Sequence, residues 1–123
     1  MSYFRPSGFS MLTPVVKNLL IINVACFIIS WFLENIGYDL TNDLGLHYIL
    51  SPSFRPVQFI SYMFMHANLE HIFFNMLALW MFGHSLEQFW GSKKFLIYYL
   101  ATGIGAGIVQ IIVAYIHLQT FVI

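Results

Sequence analysis

His66, His71 and Asn75 lie in the stretch Met65-His66-Ala67-Asn68-Leu69-Glu70-His71-Ile72-Phe73-Phe74-Asn75, at the head of an apolar run. From Ile72 to Gly83, Asn75 is the only clearly polar residue. Polar side chains in a lipid-embedded helix gain nothing unless they have partners or a task. His71 and Asn75 are four apart, so on a helix they project from one face, one turn above the other. A ring nitrogen and an amide NH2 side by side form a donor pair suited to a developing oxyanion.

The elements that hold this pair are set by composition. Of 123 residues, 59% are hydrophobic and only 8% charged, and the mean hydropathy is +0.77. Soluble domains carry about a quarter charged residues, so the chain belongs in a membrane. Five basic and five acidic residues cancel, and no basic cluster suggests nucleic acid. Cys26, the single cysteine, has no partner for an internal disulfide and reads as a small buried apolar residue.

Three apolar runs predict three transmembrane helices. The first covers about 15–33, with Thr13 as N-cap and Pro14 as first helical residue. Its nineteen residues suit a hydrocarbon core that needs about 17–25. The second covers about 69–89, with Asn68 as N-cap, Glu70 in the first turn and a stop near Gly91. The third covers about 95–116 and follows Lys93-Lys94, which fill a short second loop. Its Ala101/Gly105 and Gly103/Gly107 pairs allow another helix backbone to come close. The fold class is therefore all-α: a polytopic membrane helix bundle, one unit over 1–123.

Arg5, Lys17, Lys93 and Lys94 place the N-terminus and second loop in the cytoplasm by the positive-inside rule. The first loop, about 35–68, then faces outward with Glu34, Asp39 and Asp43 nearby. Asn75 lies about 9 Å below the start of its helix, at 1.5 Å per residue. The loop is too long for a plain connector and carries structure of its own. Its aromatic stretch Phe59-Ile60-Ser61-Tyr62-Met63-Phe64-Met65 suits the interface or a dip into the membrane.

Taken together, these residues resemble the rhomboid family of intramembrane serine proteases. The resemblance covers most of the chain, from the cytoplasmic start to the third helix. It includes His-x4-His-x3-Asn and, further down the second helix, Glu87-Gln88-Phe89-Trp90-Gly91. His71, Asn75 and Glu87, spaced 4 and 12 apart, are expected on one helix face. The resemblance implies that His71 and Asn75 support the oxyanion and that His66 helps to hold the outer loop. It implies that Glu87 ties the second helix to its neighbours, with Gly91 at the cytoplasmic end. Plainer readings stand beside these: Asn75 as interhelical glue, His66 as an interfacial histidine on a backbone carbonyl. His47, His84 and His117 match no catalytic position and read as interfacial or structural.

Two departures from the family pattern stand out. Val57-Gln58 occupies the place of the family's frequent Trp-Arg, which puts the loop's hydrogen bonding, not the fold, in question. The family's Gly-x-Ser-Gly nucleophile and its later base histidine have no match in this chain. Gly83-His84-Ser85 precedes Leu86 and Gly8-Phe9-Ser10 precedes Met11, so neither serine is a credible nucleophile. The expected function is an intramembrane serine endopeptidase that cuts transmembrane segments of other proteins, this chain alone being inactive. The alternative is a rhomboid-like pseudoprotease that binds transmembrane helices without cleavage. A third class, a His-containing transporter or metal protein, has neither His-Glu-x-x-His nor a second cysteine in its favour. The expected partners are membrane protein substrates and lipid, and no cofactor or metal is implied.

Overall fold

The computed structural model describes residues 12–122, with side chains described through residue 118. Arg5 and Ser10 lie outside the described residues. Among those described, the elements are all helical and no strand is present. They are α1 (Pro14–Asn35), α2 (Leu40–Leu44), α3 (Gln58–Ser61), α4 (Leu69–Ala78), α5 (His84–Trp90) and α6 (Ser92–Val122). A 3-10 turn, Tyr62–Phe64, follows α3, and a π turn, Leu79–Gly83, joins α4 to α5. Helices α1 and α6 are long and apolar enough to cross a membrane. Their exposed faces are lined by residues such as Ile28, Phe32, Val109 and Val113, which suit lipid.

Helix α1 begins where Thr13-Pro14 predicts, and Thr13 has the extended backbone of an N-cap. Its hydroxyl makes no capping bond. The carboxylate of Glu87 takes that role: Oε2 accepts the Val15 N–H at 2.9 Å and Oε1 the Val16 N–H at 3.0 Å. These are among the helix N–H groups with no partner inside their own helix, and the negative charge sits at the favourable end of the dipole.

The segment Leu69–Trp90 is helical throughout and about 33 Å long at 1.5 Å per residue. Asn68 caps it as expected, its Oδ1 accepting the His71 N–H at 2.8 Å. The face expected to run from His71 to Glu87 is not that of a regular α-helix. In a straight α-helix, twelve residues at 100° leave Glu87 about 120° round from Asn75. The π turn holds one residue more than an α turn. That extra residue takes up about one 100° step and brings the offset back to about 20°.

Gly91 ends this rod with φ +88°, a conformation that favours glycine, although a Cβ there would meet nothing within 4 Å. Helix α6 starts at the next residue. Lys93 and Lys94 thus belong to its first turn, and the second loop shrinks to Gly91. The Ser92 hydroxyl donates to Glu87 Oε2 at 2.6 Å, fastening this corner to the same carboxylate.

A small core forms at the end opposite the long loop. Val16, Leu19 and Phe95 are buried together, with Leu79 and Tyr99 packed against them. Gly83 makes this possible, because a Cβ there would stand 3.0 Å from Val16 Cγ2 and 3.1 Å from Phe95 Cζ. Two glycines of α6 admit a segment of the long loop. A Cβ at Gly103 would overlap the Met63 side chain, and one at Gly107 would come within 3.2–3.3 Å of Tyr62, Leu46 and Phe59. The loop segment α3 with its 3-10 turn therefore occupies the Gly103/Gly107 face. The Tyr62 hydroxyl fixes it there by donating to the Gly103 carbonyl at 2.5 Å. Gly105 meets nothing within 4 Å.

Candidate functional site

The loop that roofs the polar residues is organised by one buried amide. Gln58 is fully buried. Its Nε2 donates to the carbonyls of Asp43 at 3.0 Å and Ser53 at 2.9 Å, and its Oε1 accepts the His47 N–H at 3.2 Å. Three separated loop segments are thereby tied to α3. The Ser61 hydroxyl adds a bond to the Leu44 carbonyl at 2.6 Å, and His47 Nε2 lies 2.6 Å from the Asn42 carbonyl. His47 is thus structural. Gln58 supplies a neutral set of loop hydrogen bonds where the departure from Trp-Arg had put them in question. Its polarity within an aromatic stretch is the one sequence signal of this role.

Below this loop an open groove of about 460 Å³ runs between α4 and α6. Its polar lining includes His66, Asn75, Tyr62 and Thr102, with Tyr98, Tyr99 and the buried Asn23, and its apolar wall Met76, Leu79 and Phe82. His66 and Asn75 are thus brought to one space. His71 does not line it, but its ring meets that of His66 edge-on, with centroids 5.7 Å apart. Asn75 and His71 are both exposed, whereas His66 is half-buried. Burial holds the His66 imidazole below its ordinary pKa, the neighbouring His71 adds to this, and the Phe64 backbone acts the other way. A neutral imidazole can donate from one nitrogen and accept at the other.

Glu87 and Gly91 lie at the far end of the α4–α5 rod, against the start of α1. Ser85 is exposed near that end, its hydroxyl 3.4 Å from the Met81 carbonyl, and does not line the groove. Tyr62 and Thr102 were not marked by the sequence pattern. Among the described residues no group of three or more His, Cys, Asp or Glu could hold a metal ion.

Comparison with known proteins bears on what this groove belongs to. A family model, the Rhomboid domain, matches residues 53–118, from the loop that Gln58 organises to the last turns of α6. The chain belongs to the rhomboid family. It is 32% identical over 99 residues to the rhomboid protease GlpG of Klebsiella pneumoniae, covering 79% of this chain and 34% of that protein. Against the rhomboid protease GlpG of Salmonella typhi it is 30% identical over 92 residues, 73% of this chain and 33% of the relative. A shorter match, 42% over 48 residues, links it to the rhomboid protease GluP of Bacillus subtilis, covering 39% and 10% of the two chains. The rhomboid chain thus spans about a third of the GlpG relatives it matches. No solved structure matches it. With two helices able to cross a bilayer, this rhomboid chain is an integral membrane protein.

Proposed function

We propose that the chain forms the oxyanion side of a rhomboid-type intramembrane serine endopeptidase, whose substrates are transmembrane segments of other membrane proteins. The observation that carries this reading is the α4–α6 groove, whose lining includes both Asn75 and His66. In this reading Leu69–Trp90 is a third membrane span, placing Asn75 about a turn and a half below the loop end. The N-terminus and the α5–α6 corner are cytoplasmic, and the loop 36–68 is on the outer side.

A serine hydroxyl is a weak nucleophile and needs a base, and both come from outside residues 1–123. What this chain contributes is donor groups from Asn75 and His71, held on a preorganised helix where negative charge develops on the carbonyl oxygen. His66 and the Gln58-bonded loop keep the mouth of the groove in place. Glu87, far from the chemistry, fixes the helix that carries the donors.

The test uses the polypeptide completed to rhomboid length and a helical membrane substrate. Asn75→Ala and His71→Ala are expected to lower kcat by about ten- to a thousandfold with little change in folding. The present chain alone is expected to give no serine-probe-sensitive cleavage. If Asn75→Ala unfolds the protein and the surviving fraction turns over normally, Asn75 is interhelical glue and the oxyanion assignment fails. Binding of substrate without cleavage by the completed protein marks a pseudoprotease. For topology, cysteines at Ser53 and Lys93, with Cys26→Ser, are expected to label from outside and inside respectively.

A further inference from the structure

On the side of α1 and α4 facing away from α6, two cavities meet end to end. The deeper one is an apolar trough of about 570 Å³, walled on one side by Leu20, Val24 and Phe27 and on the other by Ile72, Phe73 and Leu77. The other, about 800 Å³, lies at the loop end between the top of α1 and the start of α4. Phe27, Ile28 and Leu69 line both, so the two form one continuous amphiphilic cleft.

The chamber at the loop end has a definite chemical character. Glu34 and Asp39 line it, together with the rings of Trp31 and Tyr38, and no lysine or arginine does. Tyr38 is held by its hydroxyl, which donates to the Asp43 carboxylate, so its ring is fixed. Two carboxylates beside two aromatic rings attract an ammonium group by charge and by the ring faces. They repel an anionic headgroup. Asn68 and Leu69, where α4 begins, also line the chamber; a helix start favours an anion such as a phosphate, and here it is already shared with the Asn68 cap and with Glu70 in the same turn. The trough runs about 12 Å from Leu20 to Ile28 along α1 and is open to an extended chain.

We propose that this cleft is a binding site for a phospholipid with an amine headgroup, of the phosphatidylethanolamine type. The acyl chain lies in the α1–α4 trough, the phosphate near the start of α4, and the ammonium group between Glu34 and Asp39. The site adjoins the α4–α6 groove, sharing His66 and Met76 with its lining, and does not depend on the proposed peptidase reading.

The experiment is native mass spectrometry of the chain in detergent, with equal amounts of phosphatidylethanolamine and phosphatidylglycerol of the same acyl composition. Retention of the ethanolamine lipid is expected to exceed that of the glycerol lipid by about two- to fivefold, the scale of one exposed ion pair. Glu34→Gln with Asp39→Asn should abolish this preference without changing thermal unfolding, since an asparagine at 39 still caps α2. Val24→Phe should lower retention of both lipids by filling the trough. Equal retention of the two lipids by the unaltered chain overturns the proposal. So does no retention of either, a preference that survives the double substitution, or no effect of Val24→Phe. Displacement of the lipid by a hydrophobic helical peptide in proportion to its concentration assigns the cleft to a protein segment and also overturns it.

Discussion

Glu87 holds the backbone N–H of Val16 at 3.0 Å across seventy-one positions of sequence, and the same carboxylate holds Val15 and Ser92. One buried side chain thus starts α1, anchors α5 and fastens the first turn of α6. Its replacement by alanine leaves two helix N–H groups without that acceptor and opens a space in the corner. An unsatisfied buried donor costs about 1–3 kcal/mol, so Glu87→Ala is expected to cost about 2–5 kcal/mol in total. Thermal unfolding in mild detergent measures it. A loss no larger than that of an exposed substitution such as Gln88→Ala would mean that water replaces the carboxylate.

Gln58 organises the loop as Glu87 organises the corner. In Gln58→Ala the carbonyls of Asp43 and Ser53 and the N–H of His47 lose this partner. Gln58→Glu keeps the size and the acceptor but removes both donors and sets a charge against two carbonyls. Both variants are expected to raise amide exchange and proteolytic nicking across residues 43–55, while α1 and α6 stay protected. The expected local loss is about 2–4 kcal/mol, from two or three backbone groups left unpaired. Unchanged exchange in both variants would show that the loop is held by apolar packing alone.

The elements whose signals are local were legible in the sequence. Asn68 followed by an apolar run marked a helix start, Thr13-Pro14 another, and Gly91 a stop. What stayed hidden depends on partners far along the chain. Nothing near Glu87 says that its target is the start of α1, and nothing near Gln58 names Asp43, His47 and Ser53. The π turn that returns Glu87 to the face of Asn75 has no composition signature. The glycine pairs of α6 were read as a helix-contact face, yet a spacing of four cannot tell a partner helix from a loop packed on the same face. For the candidate site, the sequence gathered His66, His71 and Asn75, while Tyr62 and Thr102 enter only because α6 folds back beside α4.

The two kinds of glycine in α6 can be separated directly. At Gly103 an added methyl overlaps Met63, whereas at Gly105 it meets nothing within 4 Å. Gly103→Ala is expected to destabilise the chain by about 1–3 kcal/mol, the usual cost of overpacking. Gly105→Ala should be neutral or stabilising by up to about 1 kcal/mol, because alanine favours a helix over glycine. Adding Met63→Ala to Gly103→Ala should recover part of the loss, which makes the pair non-additive. Melting curves for these three variants and for Met63→Ala alone decide it, and equal effects at the two glycines would reject the loop-seat assignment.

His66 gives the chain a pH dependence whose sign follows from its surroundings. Burial and the ring of His71 depress the folded-state pKa below the ordinary value of 6.5, with the Phe64 backbone opposing them. Above pH about 6.5 the residue is neutral in folded and unfolded chains alike, and its full contribution to stability is present. As the pH falls below that value, the unfolded chain takes up a proton before the folded one does, so unfolding is favoured. The loss grows until the pH has passed through the depressed folded value and is then complete. His66→Gln, which keeps a polar side chain without a titrating group, removes this component. Thermal unfolding at pH 8, 6.5 and 5 is expected to show a steeper acid loss for the unaltered chain than for His66→Gln. The other ionisable groups are common to both proteins and cancel in the difference between them. Parallel pH profiles would show that the His66 ring gains its proton as readily in the folded chain as in the unfolded one, and that its partial burial has no effect on its charge.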